Sequence, residues 1–353
     1  MVNIRDVSLF PNTATWLFPG ADCDSVPAAR ALSADSMVDS VGSDYPLVVI
    51  VGPTASGKSA LAVNLGECFE GEIVNYDSVQ LYRGFDIGSG KPLPHERRGV
   101  PHHLIDVAEP SQVFTAGDYR CAALKVLDSI RERRNLPILV GGTGLYLRAL
   151  LLGLFDGPPR SQDLRARLAA CADQTRGGRP YLHRLLGRLD PASATRIHSR
   201  DTQKIIRALE VCLLARRPMS TMLARGRQGL RGFRPIKIGL NPNRAQLRDR
   251  IDRRVEQMFA GGLISEAQAA LARPEAPDTK ALGALGYRQA CRALRGQISK
   301  EEAIRQAQAA TRQYAKRQLT WFRRESDVVW FTGFGDKPEV QAQVHDWLRE
   351  HRF

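Results

Sequence analysis

Short, mostly apolar runs alternate with longer segments of helical periodicity through the first 156 residues. The apolar runs cover residues 47–51, 72–76, 104–107 and 137–140. Such runs are typical of strands buried on both faces of a parallel sheet. Helical patterns follow at residues 60–69 and 115–134, and again after residue 143. Strand, loop and helix in repetition predict a doubly wound α/β fold.

This alternation stops at residue 157. Residues 157–200 offer only helical stretches, and a strand pattern returns at residues 236–240. Helical patterns then dominate, apart from one short apolar run at residues 328–331. We therefore predict an α/β core interrupted by an all-helical insertion domain and completed by C-terminal helices. The predicted bounds are residues 47–156 and 206–353 for the core and residues 157–205 for the insertion.

Charge separates three parts of the chain, whose 353 residues carry a net charge of +14. Residues 1–46 show neither helical nor strand periodicity, and they hold two basic and six acidic side chains. This predicts a disordered acidic N-terminal extension. Residues 157–235 hold 17 Lys or Arg against five Asp or Glu. That surplus indicates a polyanionic partner, although a solvated helical surface has the same composition.

Cysteine usage and hydropathy exclude several classes of protein. The six cysteines form no CxxC pair, which argues against a disulfide framework, a zinc finger and an iron–sulfur site. No segment approaches the roughly 20 apolar residues of a membrane-spanning helix. We expect a cytoplasmic protein without a membrane partner.

The octapeptide after the first apolar run fits the pattern G-x-x-x-x-G-K-[ST]. It consists of Gly52, Pro53, Thr54, Ala55, Ser56, Gly57, Lys58 and Ser59. Backbone N–H groups of such a loop surround an anion, and the positive end of the following helix points to the same place. Lys58 adds a mobile charge, and the Ser59 hydroxyl can bind Mg²⁺. The fold is therefore predicted to be P-loop NTPase-like, but ATPases, kinases and other diphosphate users share this loop.

Polar residues also end the other predicted strands. Asp77 follows the second strand, Asp106 ends the third, and Thr143 lies in a Gly-Gly-Thr-Gly turn after the fourth. Ligands of open α/β sheets bind outside the carboxyl ends of the strands. From position alone, Asp77 is a general base, a metal ligand or a helix N-cap, and Asp106 is a metal ligand or a turn residue.

Cations and aromatic residues interleave on the predicted helix at residues 311–324. Tyr314, Arg317 and Trp321 fall on one stripe of that helix, with Lys316 and Arg323 nearby. This pattern suits phosphate contacts and base stacking, although a helix that packs its aromatic residues on the core has it too.

Together these motifs resemble those of the bacterial tRNA isopentenyltransferase family, the tRNA dimethylallyltransferases. The matching segments are GPTASGKS (52–59), DS (77–78), DIGSGKP (86–92), PHHLIDV (101–107), LVGGTGLYLRALLLGL (139–154), DTQKIIRALEV (201–211), LGYRQ (285–289) and TRQYAKRQLTWFRR (311–324). The resemblance implies transfer of a dimethylallyl group from dimethylallyl diphosphate to N6 of adenosine 37 of tRNA, next to the anticodon. Diphosphate is the product released.

The resemblance also implies roles for individual residues. Asp77 is expected to be the catalytic base, with Lys58 and Thr143 as further catalytic residues, and the loop at residues 52–59 is expected to hold the diphosphate. The residues expected to touch tRNA are Asp77, Ser78, Val79, Gln80, Thr143, Arg165, Gln203, Lys204, Arg207, Gly283, Tyr287, Arg288, Lys316, Arg317, Trp321 and Arg323. The implied cofactor is Mg²⁺ at Ser59, and the implied partners are the anticodon stem-loop and dimethylallyl diphosphate. No protein partner is implied.

Three other functions explain part of the sequence. A P-loop small-molecule kinase explains the sheet and the loop but not the basic insertion. An adenylate isopentenyltransferase performs the same chemistry on a free nucleotide and needs no large basic surface. A non-enzymatic RNA-binding protein leaves Lys58, Ser59 and Asp77 without a role.

Ser89 departs from the motif of the resembled family, which has Thr at this position of its G-T-A-K-P segment.

Overall fold

The computed structural model describes residues 44–173, 178–224, 226–273 and 280–351. Nearly all of the predicted acidic extension lies outside these residues. The first strand begins at Tyr45, two residues before the predicted start of the core.

The described residues form one parallel six-stranded sheet in the order β3-β2-β4-β1-β5-β6. The strands are β1 (Tyr45–Val51), β2 (Gly71–Asn75), β3 (His102–His103), β4 (Leu136–Val140), β5 (Phe233–Leu240) and β6 (Val328–Phe331). The α/β expectation is therefore confirmed.

Helices connect and flank these strands. They are α1 (Lys58–Cys68), α2 (Ala116–Glu132), α3 (Gly144–Leu152), α4 (Gln162–Asp173), α5 (Gly178–Leu189), α6 (Pro191–Arg196), α7 (Thr202–Ala215), α8 (Met219–Ala224), α9 (Arg244–Ala260), α10 (Leu263–Leu271), α11 (Tyr287–Leu294), α12 (Lys300–Phe322) and α13 (Pro338–His351). In the part of the chain that the structure describes, none of the helices has the length and hydropathy needed to cross a membrane.

Strand β1 divides the core into two apolar clusters, one on each face of the sheet. Successive side chains of a strand point to opposite faces. Val49 packs with α2 and α3 on one face, and Val48 packs with α1 and α13 on the other. Both valines are fully buried. The uninterrupted apolar run in the sequence is thus explained by burial of both faces.

The prediction of a strand at residues 104–107 is wrong. The third strand is only His102–His103, which pairs with β2. Leu104 and Asp106 have φ angles of +59° and +57°, in the left-handed region that an extended strand cannot contain. The apolar run therefore forms an irregular turn, and Asn75 Nδ2 donates a hydrogen bond to the Leu104 carbonyl at 2.9 Å.

Helices α4 to α8 form the all-helical segment, and all five contribute side chains to one apolar cluster. The cluster joins Leu168 of α4 and Leu186 of α5 to Ile205 and Leu209 of α7. The predicted boundary at residue 205 falls inside α7. The packing unit continues past that residue, because both halves of α7 contribute to the same cluster.

A buried carboxylate stabilises the amino end of β2. Glu72 is 3% exposed and accepts hydrogen bonds from Arg133 Nε and Nη2, both at 2.8 Å. Asn135 Nδ2 donates to it at 2.8 Å, and the His103 ring nitrogen lies 2.6 Å away. The Arg133 hydrogen bonds outweigh the cost of burial and hold the pKa of Glu72 at about 2.

Glu72→Gln is therefore expected to lower the free energy of unfolding by about 3 kcal/mol at pH 7. A glutamate with a depressed pKa stabilises the fold above its unfolded pKa, here 4.5, and this contribution is lost as the pH falls towards 2. Urea unfolding at pH 7 and pH 3 measures it, with Glu132→Gln on the exposed end of α2 as control. A difference between the variants that persisted unchanged at pH 3 would contradict the ion-pair account.

Candidate active site

Three loops meet at the carboxyl ends of β1, β2 and β4. The phosphate loop, residues 52–57, leads from β1 directly into α1. Gly57 has a φ of +85°, and a methyl group built on it would lie 2.8 Å from the backbone nitrogens of Gly335 and Asp336. Only glycine fits there, because the turn after β6 closes against the back of the loop.

Lys58 is folded back over its own loop. Its Nζ donates to the carbonyl oxygens of Gly52 at 3.0 Å and Pro53 at 2.7 Å. Burial lowers the pKa of Lys58 to about 7; the positive charge of Arg254 acts in the same direction, and Asp77 opposes it. The amine is thus close to both the loop and the predicted base.

Asp77 begins the turn after β2, one residue past Tyr76. Its Oδ1 accepts the N–H of Val79 at 2.9 Å and of Gln80 at 3.5 Å. Burial raises the pKa of the carboxyl, although these hydrogen bonds and the charges of Lys58 and Arg254 oppose the shift. A partly desolvated carboxylate with one oxygen held by backbone N–H groups can accept a proton on the other.

The glycine turn brings β4 against this carboxylate. A methyl group built on Gly142 would lie 3.1 Å from Asp77 Oδ2, so the backbone approaches the base closely. The Thr143 hydroxyl accepts the N–H of Ser78 at 3.0 Å and donates to the Ser78 hydroxyl at 3.1 Å. Thr143 therefore joins the two turns, and its catalytic and tRNA-binding roles remain predictions.

Two cavities adjoin at these turns. A cleft of 1560 Å³ is lined by residues 54–59 and by cations of α9. A second cavity of 550 Å³ is lined by side chains of α9, α10 and α12 and by the segment at residues 281–286. Thr54, Asp77 and Arg254 line both cavities. Asp77 therefore faces the phosphate-loop side and the mainly apolar side at once.

Arg254 belongs to this site, and the sequence did not single it out. Its guanidinium lies against the backbone of Gly90, where a methyl group would meet Nη2. Burial, reinforced by the charge of Arg250, lowers its pKa. In a helix as rich in charge as α9, no spacing distinguishes Arg254 from its neighbours.

Ser59 and Asp106 are two residues whose positions in the sequence predict a metal ligand. Ser59 is exposed in the cleft at the start of α1, where its hydroxyl can join phosphate oxygens and water around Mg²⁺. Asp106 Oδ1 instead accepts a hydrogen bond from Lys91 Nζ at 2.5 Å. The described residues contain no group of three or more His, Cys, Asp or Glu that could hold a metal ion.

The predicted tRNA contacts on α12 are only partly exposed. Lys316, Arg317 and Arg323 are exposed, and Arg317 lies 5.8 Å from the Tyr314 ring centroid. Trp321 is half-buried, packs on Gly144 and lies under the Arg148 guanidinium at 4.5 Å. The cations of this helix are available to a ligand, whereas the indole mainly serves packing.

Arg165 and Arg207 do not present free charges. Both pair with Glu210, which is fully buried: Arg165 Nη2 at 2.9 Å and Arg207 Nη1 at 2.6 Å. The two guanidinium groups neutralise a carboxylate inside the helical segment but stay 19% and 31% exposed, so their contacts with tRNA remain a prediction. On the same helix α7, Gln203 and Lys204 are exposed, with Lys204 paired to Asp201.

The residues predicted to touch tRNA in the segment 283–288 also differ in their exposure. Gly283 lines the second cavity, and Arg288 is exposed. Tyr287 is fully buried and donates its hydroxyl hydrogen to Glu266, which leaves its side chain no exposed surface, and its contact with tRNA remains a prediction. Glu266 accepts the N–H groups of residues 86–88 as well, which fixes the loop that contains them.

Known proteins are similar to this chain in sequence and in fold. Residues 80–325 match the sequence model of the IPP transferase family. A tRNA dimethylallyltransferase of Solibacter usitatus is 52% identical over 301 residues, which are 85% of this chain and 97% of that protein. A tRNA dimethylallyltransferase of Koribacter versatilis is 53% identical over 305 residues, 86% of this chain and 97% of that one.

Solved structures agree with the sequence matches. The full-length tRNA isopentenylpyrophosphate transferase of Bacillus halodurans has a TM-score of 0.64 at 38% identity, covering 87% of this chain and 96% of that one. A eukaryotic dimethylallyltransferase described as acting on tRNA has a TM-score of 0.70 at 25% identity, covering 87% and 77%.

Proposed function

The chain belongs to the IPP transferase family, and we propose that it transfers a dimethylallyl group from dimethylallyl diphosphate to N6 of adenosine 37 of tRNA. The bond from the allylic carbon to the diphosphate oxygen breaks as the bond to N6 forms. The electron pair leaves with diphosphate, and the N6 proton passes to Asp77.

The observation that carries this proposal is the place of Asp77. It lies where the cation-lined cleft beside the phosphate loop adjoins the mainly apolar cavity. A donor held by its diphosphate can approach from one side and an extruded adenine from the other. Asp77 Oδ2 lies beside the glycine turn, while Oδ1 is held by the backbone of its own turn. This supports a base aimed at the point where the two substrates meet.

Positive charge around the loop suits the leaving group. Backbone N–H groups, Lys58 and Arg254 line the cleft where negative charge would develop on the diphosphate. When bound, Mg²⁺ would supply further neutralisation of that charge, with Ser59 as its protein ligand. The apolar wall of the second cavity, which includes Val255 and Phe259, would limit the access of water to the allylic group.

The helical segment offers a surface for the anticodon stem of tRNA. Its exposed arginines include Arg167, Arg179, Arg184, Arg188, Arg196 and Arg200. Because Arg165 and Arg207 share their charge with Glu210, we assign further phosphate contacts of this segment to the exposed arginines.

Lys58→Met is expected to lower kcat/KM for dimethylallyl diphosphate about 100-fold, since it removes one donor to the developing charge. Steady-state kinetics with saturating tRNA measure the effect. The control is Lys125→Met on α2, which changes a lysine outside both cavities. Equal kinetics for the two variants would mean that Lys58 only stabilises the conformation of its loop.

The function itself is tested by the choice of acceptor. Purified protein, Mg²⁺ and dimethylallyl diphosphate are incubated with unmodified tRNA or with AMP, and released diphosphate is measured. We expect release with tRNA only. Release with AMP would indicate an adenylate isopentenyltransferase, and phosphate transfer from ATP to a small acceptor would indicate a kinase.

A further inference from the structure

The side chain of Gln318 bridges two of the loops that form the site. It lies on α12 and is 5% exposed. The N–H of Thr54, in the phosphate loop, donates to Gln318 Oε1 at 2.7 Å. Gln318 Nε2 donates to the carbonyl oxygen of Gly142, in the turn after β4, at 2.9 Å.

Both partners fix the orientation of this amide. A backbone N–H can only donate and a carbonyl oxygen can only accept, so a flipped amide would lose both hydrogen bonds. The Gly142 carbonyl also accepts the Tyr314 hydroxyl at 3.0 Å, one helical turn earlier on α12. The glycine turn is therefore held to α12 twice, and the phosphate loop once.

The two bridged loops serve different substrates under the proposed function. Thr54 belongs to the loop that would hold the diphosphate, and Gly142 lies beside the base that would hold the adenine amine. Asp77 Oδ2 and Gln318 Nε2 lie 3.1 Å and 2.6 Å from the position of a methyl group built on Gly142. Gln318 thus connects the donor side to the acceptor side near Asp77.

We propose that Gln318 is a positioning residue that sets the distance between the diphosphate loop and the Asp77 side of the site. This inference rests on the proposed function. Group transfer needs the reacting atoms held about 3–3.5 Å apart, and a displacement of about 1 Å can cost roughly 100-fold in rate. A buried side chain of fixed length, hydrogen-bonded at both ends, provides that constraint from the wall of the cleft that it lines.

The test replaces the amide with an apolar side chain of similar length, Gln318→Met. The control is Gln313→Met, which changes an exposed glutamine of the same helix. We expect kcat to fall 10- to 100-fold in Gln318→Met, with the Kd for inorganic diphosphate and the Kd for tRNA each within threefold of the wild type. Gln313→Met should match the wild type throughout.

A residue that merely supports folding would lower thermal stability and the fraction of active enzyme, but not kcat per active site. Loss of diphosphate affinity equal to the loss of kcat would make Gln318 a binding residue and would overturn the proposal. So would a kcat per active site within threefold of the control. A wild-type enzyme that modifies no tRNA would instead refute the proposed function.

A second variant decides the question if Gln318→Met does not fold. Gln318→Glu still accepts the Thr54 N–H but sets a carboxylate against the Gly142 carbonyl and near Asp77. We expect a lower kcat and an acid limb of kcat/KM that moves to higher pH by at least half a unit, because a neighbouring negative charge raises the pKa of the base. An unchanged kcat with an unmoved acid limb would overturn the proposal.

Discussion

Asp77→Asn is expected to lower kcat about 100- to 10,000-fold, the range typical for loss of a general base. The substitution keeps the shape of the side chain and an oxygen for the Val79 N–H, so the turn after β2 should persist. Binding of tRNA and of inorganic diphosphate should change by less than about threefold. Single-turnover kinetics and equilibrium binding separate the two effects.

The pH dependence gives a second check on the same residue. Burial raises the pKa of Asp77, and a base must be ionised, so kcat/KM should fall as the pH drops through a value above 3.8. This acid limb should disappear in Asp77→Asn and remain in Asp249→Asn, which changes another carboxylate of the same cleft. Equal activity of the two variants would remove Asp77 from the mechanism.

Arg165→Met is expected to lower the free energy of unfolding by about 3 kcal/mol. It breaks a hydrogen-bonded ion pair with Glu210, whose carboxylate is fully buried, and leaves Arg207 as the remaining cation. Side chains of α4, α5 and α7 share one cluster, so we expect the helical segment to loosen first.

The matched control is Arg167→Met, an exposed arginine two residues further along α4. It should unfold like the wild type and bind tRNA more weakly, with a shallower dependence on salt. Urea unfolding and tRNA binding at several salt concentrations measure both variants. If Arg165→Met kept full stability and Arg167→Met lost it, the assignment of structural and tRNA-facing arginines would be reversed.

The sequence was most informative where one local pattern decides the structure. Continuous apolar runs predicted β1 and β4 because both strands are buried on both faces. The octapeptide predicted the phosphate loop because its glycines and its lysine are required by local backbone geometry. The run at residues 104–107 misled because hydropathy does not report the left-handed backbone of Leu104 and Asp106.

Contacts between segments that are distant in the sequence could not be predicted from local patterns. Arg165 and Arg207 look like free cations until Glu210 is placed between them. Glu210 interrupts an apolar stretch of α7, and that isolated carboxylate was the available sign of a buried ion pair. Gln318 and Arg254 gave no comparable sign, since each stands among many polar neighbours and is distinguished only by the loops packed against it.

The most direct test uses two tRNA transcripts that differ only at position 37. Wild-type protein, Mg²⁺ and dimethylallyl diphosphate are incubated with an A37 transcript or a G37 transcript, and the nucleosides are analysed by mass spectrometry. The account predicts N6-dimethylallyladenosine from the A37 transcript, mapped to that position, and none from the G37 transcript. Modification at another position, or no modification of either transcript by folded protein, would contradict it.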